Sequence, residues 1–323
     1  MAAASASFAQ SSVTISGTFD PSIANQKTTY GNGNSVTQNL VRNNSQGTSQ
    51  VTFKGVEDLG GGLKASFLLE NDFDAGKDAT GNFSSKGGEQ YLALEGGFGK
   101  VAAGSPNTPT LTAQSAANPF GTKIGSGFGV LNTAHVRNNN TVMYSTPMFS
   151  GFSAAAAYSF KTKADTNPTT PIAAVADITD IGLNYANGPL AAGVSFYKVA
   201  GMGGAANKET NIYGTYDMGV AKLGAGFYTE KNGAVGAVDT QGYNLSAAVP
   251  LNASLSLLAN FGKKNDKVAA SNLDSTIAAF GLKYKLSTRT SVYARYVDQK
   301  NDNVALTAAK KVQTALVGVQ HNF

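Results

Sequence analysis

Between Gly96 and Ala164 the chain carries no aspartate or glutamate, yet it holds Lys100, Lys123, His135, Arg137, Lys161 and Lys163. Uncompensated positive charge attracts anions that come within the roughly 8–10 Å screening length of physiological salt. The chemistry on offer is therefore electrostatic filtering, which needs a narrow passage to act on. Lys123 and Arg137 are its strongest candidates. Lys100 belongs near a tight turn, and Lys161 and Lys163 near the rim of a long loop.

Bond-making chemistry finds little support. There is no cysteine, which excludes disulfides and thiolate metal sites, and the two histidines are His135 and His321. "GSGFGV" (125–130) is glycine-rich but has no strand–helix context for a dinucleotide. In "GMGGAANKET" (201–210), Asn207 and Glu209 flank Lys208 where a phosphate loop needs Gly and Ser/Thr. Asp72, Asp74 and Asp78 could hold Ca²⁺ in a loop, although solvated acidic residues are the default. No other cofactor is expected. The net charge is +5, but no basic run exceeds two residues, which argues against nucleic acid.

The elements that would position these charges alternate with period two. In "LKASFLLE" (63–70), Leu63, Ala65, Phe67 and Leu69 share one face, and Lys64, Ser66 and Glu70 the other. "SQVTFKGVED" (49–58) puts Val51 and Phe53 opposite Gln50, Thr52 and Lys54, and "LGGG" (59–62) joins the two segments as a tight turn. "IAAFGLKYKLS" (277–287) separates Phe280, Leu282 and Tyr284 from Lys283 and Lys285. Short turns recur near 95–99, 146–151, 186–189, 216–219, 249–252 and 286–289. Long polar segments lie near 20–47, 74–87, 105–136, 163–176, 200–207, 230–239, 264–273 and 299–309.

With "LGGG", these connections separate sixteen strands, the short ones at one end and the long ones at the other. That asymmetry predicts a sixteen-stranded antiparallel transmembrane β-barrel. A lysine facing lipid near the midplane costs roughly 2–4 kcal/mol, so Lys54, Lys64, Lys283 and Arg295 should face the lumen, with Gln50, Glu70 and Glu89; Tyr293 must then accompany Arg295. The final "ALVGVQHNF" alternates to Phe323, whose ring would sit in an aromatic girdle at the headgroups. His321, on the parity of Val319, would join that girdle. Backbone groups in hydrocarbon must all be paired, so "SVTISGTF" (12–19) should meet the last strand. A solenoid would show a short fixed repeat, and a soluble sandwich would not need such regular long and short connections. Residues 1–9 read as a residual export signal or leader, leaving 10–323 as one barrel domain.

The segments "SQVTFKGVEDLGGGLKASFLLEN" (49–71), "EQYLALEGGFGKVAAGSPNTP" (89–109), "RNNNTVMYSTPMFSGFSAAAAYS" (137–159) and "KYKLSTRTSVYARYVDQKN" (283–301), with the terminal Phe323, resemble the Gram-negative general porins, in the branch found in beta-proteobacteria. The resemblance covers essentially the whole mature chain. It implies an outer-membrane homotrimer in a lipid bilayer with lipopolysaccharide, a third external loop (about 105–136) folded inward as an eyelet, and recognition of Phe323 by the barrel-assembly machinery. It also implies an arginine ladder in anion-selective members: Arg137 matches one rung, whereas Gln50, Gly88 and Ser105 stand where arginine is common. The expected function is passive diffusion of small hydrophilic solutes with an anion lean. The alternatives are a channel that binds one organic acid through Lys123, Arg137 and loop amides, and, with less support, an adhesin or a barrel hydrolase using His321.

Overall fold

The computed structural model describes residues 12–74, 87–127, 135–160, 176–200, 206–232, 239–268, 274–302 and 304–323. The expected leader (1–9) and Asp78 lie outside the described residues. Eighteen strand segments form one antiparallel sheet that closes on itself. β1 (Ser12–Phe19) and β2 (Pro21–Tyr30) are halves of one strand, bent at Asp20. β3 (Ser35–Asn43) and β4 (Gln50–Gly60) are halves of the next, parted by the inserted residues 44–49. Counted so, the barrel has sixteen strands. Around the wall follow β5 (Leu63–Asp72), β6 (Gln90–Gly96), β7 (Gly99–Ser105), β8 (Thr141–Ser145), β9 (Phe152–Ser159) and β10 (Ile178–Asn187). Then come β11 (Leu190–Val199), β12 (Asn207–Asp217), β13 (Lys222–Asn232), β14 (Asp239–Pro250), β15 (Leu255–Asp266), β16 (Ser275–Lys285), β17 (Thr290–Asn301) and β18 (Ala309–Asn322).

The closing seam differs from expectation. Only Thr18 and Phe19 of β1 pair with β18, at Asn322 and His321. Most of β18 pairs with β2, from Ala309 opposite Tyr30 to Gly318 opposite Ser22. Residues 20–47 are therefore not one long loop but β2, a turn at 31–34, β3 and part of the insert. The reason is that Asn25, Lys27 and Thr29 follow Ile23 on the outward parity. The geometric alternation continues above the apolar band while the hydropathy alternation stops. At the other end Gly17 N–H donates to Phe323 O at 3.0 Å, and Phe323 N–H donates to Gly17 O at 3.0 Å. A Cβ on residue 17 would lie 2.4 Å from the Phe323 ring, so glycine lets the terminal ring lie across the seam.

Large apolar side chains cover the outside. Ile15, Leu92, Leu183, Ile212, Leu245, Phe280 and Val317 are all exposed on the isolated chain, as lipid-facing residues must be. Among the described residues no helix is long and apolar enough to cross a membrane; the strands do the crossing. Inward positions include polar side chains such as Asn211, Asn244 and Asn260, and apolar ones where the loop docks, among them Ala24, Tyr293 and Leu316 against Ile124. Leu258, Ile277, Ala279 and Val297 form an apolar patch on the inner wall, and Phe120 from the loop after β7 fills it. A barrel this wide cannot be filled by wall side chains alone, so the loop supplies the missing core.

Ile212 sits midway along β12 with 51% of its surface exposed. We expect Ile212→Lys to destabilise the barrel by roughly 2–4 kcal/mol, seen as a lower urea midpoint for unfolding from lipid vesicles; an unchanged midpoint would place residue 212 in water.

Candidate functional site

The loop after β7 opens with a short helix, α1 (Pro109–Ala116). Thr108 caps it, accepting a hydrogen bond from Leu111 N–H at 3.0 Å, and Pro109 holds the first helical position, where no amide hydrogen is needed. The Thr108 hydroxyl also donates to the carbonyl of His135, tying the start of the loop to its return.

One side of α1 is fixed to β10–β12 by buried carboxylates of the wall. Asp180 accepts from Thr110 N–H at 3.0 Å and from the Thr110 hydroxyl at 2.8 Å. Glu209 accepts from Gln114 Nε2 at 2.9 Å and Asn211 Nδ2 at 2.7 Å, and its other oxygen meets His135 Nε2 at 3.0 Å. His135 stacks on Tyr197 with ring centroids 3.8 Å apart. Such carboxylates tolerate burial only because donors surround them. His135 is thus part of the anchor rather than of an open charged rim. Farther along, Asn118 Nδ2 donates to Asn260 Oδ1 at 2.9 Å, and the Ser246 hydroxyl donates to Ala117 O at 2.5 Å.

The loop tip is held from the opposite quarter. Arg295 is only 4% exposed and faces inward with Tyr293, under the tip. Its guanidinium donates to Ile124 O at 2.8 Å and to Ser45 O, and lies 4.7 Å from the centroid of Phe120. Ser45 belongs to the inserted segment 44–49, which is itself organised by Asp20. That carboxylate accepts from Gln46 N–H at 2.6 Å, Gly47 N–H at 2.7 Å and Tyr293 O–H at 2.5 Å. Lys123, at the tip, donates to the Thr48 hydroxyl of the same insert. The loop therefore follows the inner wall from β7 to the insert between β3 and β4, and the remaining passage lies between it and β4–β8.

That passage has two sides. On the loop, Leu111, Thr112, Ser115 and Ala116 are not buried, so the face is uncharged until Lys123. On the wall, Gln50 Nε2 donates to Glu70 Oε1 at 2.8 Å and Glu89 N–H donates to Glu70 Oε2 at 2.7 Å. Asn107 donates twice to Glu89, from N at 2.9 Å and Nδ2 at 3.1 Å. Arg137 donates to Asn107 Oδ1 at 3.1 Å and stands 3.8 Å from Asp72 Oδ2. Lys123 feels the charges of Asp72, Asp20 and Arg137. Burial holds its ammonium below the usual lysine range, against the opposing pull of Asp72 and Asp20. Burial likewise raises the Glu89 carboxyl, while the Asn107 amide pulls it back.

The residues expected at the neck thus divide. The structure brings Lys123, Arg137, Gln50 and Glu70 to one level. Lys54 stands inward one step below Thr52, opposite Leu68. Lys64 faces Asp58 and Glu95 across the strands beside the short turns. Lys283 joins Lys285 and Arg289 at that same mouth. Gly88 takes a left-handed φ of +97°, and a Cβ there would meet the Glu70 side chain at 2.5 Å, so this backbone excludes arginine at that rung. Sequence reasoning missed Asp20, Arg42, Asp72, Asp180 and Glu209 as parts of the site. Arg42 and Asp20 lay in the segment read as loop; Asp180 and Glu209 carried no signal beyond their inward parity. Phe323 and His321 lie outside the lumen, His321 Nδ1 sharing a hydrogen bond with the Thr290 hydroxyl at 2.9 Å. Among the described residues no group of three or more histidine, cysteine or carboxylate side chains could hold a metal ion.

The family described as Gram-negative porin matches residues 1–304. Outer membrane porin protein 32 of Delftia acidovorans is 30% identical over 341 residues, covering 99% of this chain and 93% of that protein. Major outer membrane protein P.IA of Neisseria meningitidis serogroup C is 26% identical, covering 85% of this chain and 82% of that protein. A solved structure, the anion-selective porin from Comamonas acidovorans, superposes with a TM-score of 0.83 at 27% identity, covering 97% of this chain and all of that one.

Removing one buried anchor should loosen the loop while leaving Lys123 and Arg137 in place. We expect Asp180→Ala to leave the Thr110 amide without its acceptor, while the Thr110 hydroxyl keeps Ser195 Oγ at 3.1 Å, at a cost of about 1–3 kcal/mol, and to raise the open-channel current noise in single-channel recordings. A quiet trace of unchanged conductance would show that Asp180 does not hold the loop.

Proposed function

We propose, on the premise that this chain belongs to the Gram-negative porin family, that its neck is a weak anion filter set by Lys123 and Arg137. The protein is an outer-membrane channel for passive diffusion of small hydrophilic solutes, with no chemical step. The observation that carries the anion lean is the unequal pairing of charge at the neck. Arg137 is partnered by Asp72, whereas among the described residues Lys123 has a neutral hydroxyl as its bonded partner. Glu70 and Glu89 remain on the same wall, so selectivity is modest. The anion-selective porin from Comamonas acidovorans supports the sign of the preference. The homotrimer, lipopolysaccharide as a neighbour and recognition of Phe323 during insertion are proposed from the family.

The test is the reversal potential across a planar bilayer under a potassium chloride gradient. Wild type should favour chloride, and Lys123→Glu and Arg137→Glu should each shift the potential toward potassium by several-fold in permeability ratio. A potassium preference in wild type would contradict the sign, and unchanged ratios in both variants would contradict the assignment.

The lowered proton affinity of Lys123 gives a second check. A lysine held below its usual range loses its charge at a lower pH than a free one. The chloride preference should therefore fall as the pH is raised toward the ordinary lysine range. It should persist in Lys123→Arg, because a guanidinium stays protonated there. An equal decline in both proteins would assign the titration elsewhere.

A further inference from the structure

Beside the loop tip lies a crevice of about 290 Å³ between the tip and the wall. Arg42 and Lys123 both line it, with the amides of Gln26 and Gln299, and no aspartate or glutamate does. The rest of its lining is mixed: Asn44, Thr122 and Thr314 are polar, while Ile124 from the loop, Ile277 from β16, Val297 from β17 and Val312 from β18 are aliphatic. Arg42 points inward because Val41, its neighbour, is exposed on the lipid face. Its guanidinium gives one bond, from Nη1 to Gln26 Oε1 at 2.9 Å, and its buried Nε has no acceptor among the described residues. Among the described residues, most of its five donors therefore have no protein acceptor.

Two carboxylates outside the crevice, Asp20 and Asp72, act on Lys123. Asp20 accepts three bonds from the insert and Tyr293, and Asp72 faces Arg137. Two cations and four branched aliphatic side chains lining one crevice fit an anion that carries a short apolar tail. We infer that the Arg42–Lys123 crevice is a binding subsite for short-chain organic monocarboxylates. The carboxylate meets the two cations and the alkyl tail lies on Ile124, Ile277 and Val297. The subsite deepens the proposed function by naming a solute class, and it rests on the channel reading given above.

The test uses the reconstituted channel in chloride, with sodium butyrate or inorganic phosphate added. Butyrate should reduce chloride current with saturation, and Arg42→Gln should raise the half-blocking concentration at least tenfold. Gln299→Glu, which places a carboxylate in the crevice, should do the same and serves if Arg42→Gln fails to insert. Phosphate should block less tightly than butyrate and respond less to either change. Equal block by phosphate and butyrate would overturn the assignment of solute class. If butyrate block in wild type is absent or non-saturating while chloride remains preferred, the subsite fails and the proposed filter stands. A channel that prefers potassium but still binds butyrate through Arg42 would fail the filter and support the subsite.

Discussion

Backbone amides and carbonyls inside hydrocarbon have no water to bond, so a sheet can cross a membrane only if it has no free edge. Everything else in this molecule follows from that closure. The seam is made where β18 meets β2 and, at its foot, where Phe323 and Gly17 exchange two hydrogen bonds. Once the ring closes, the two faces of every strand meet different solvents. Ile212 is turned to oil while Asn211 and Tyr213 on either side are turned inward.

Closure by sixteen strands creates a second demand, because the enclosed space exceeds what wall side chains fill. The loop after β7 meets it by two kinds of contact. At α1 the wall offers buried carboxylates, Asp180 and Glu209, to hydroxyl, amide and imidazole groups. At Phe120 the wall turns apolar, with Leu258, Ile277 and Val297 as a small core inside a water-filled barrel. Between these anchors the loop presents neutral side chains to the passage until Lys123. The absence of carboxylates in its sequence therefore has a physical meaning: acceptors for its donors are supplied by the wall, and the negative charge at the passage comes from the wall alone.

Much of the barrel could be read from the sequence because lipid imposes a strict alternation. "LKASFLLE" and "IAAFGLKYK" gave strand, face and inward lysines directly. The alternation failed where lipid ends. Beyond Ile23, β2 carries Asn25 and Lys27 outward, so strand and loop look alike in hydropathy. The insert at 44–49 was hidden for the same reason, and with it Arg42 and Asp20. A usable signal went unread at β16. Ile277 and Ala279 share the parity of Lys283, and apolar residues on the lumen side mark where something must dock. Thr108-Pro109 was a legible helix start as well. The pairing of Arg137 with Asp72, and of His135 with Glu209, depends on segments far apart in sequence and was not legible.

The central claim is that the loop carrying Lys123 lies within the conducting path rather than outside the barrel. The chain has no cysteine, so a single thiol can be placed without interference. Thr112 is exposed on the passage side of α1. Modification of a Thr112→Cys channel in a bilayer by a bulky, water-soluble thiol reagent should cut the single-channel conductance in discrete steps. Full modification with no change in current would contradict the account.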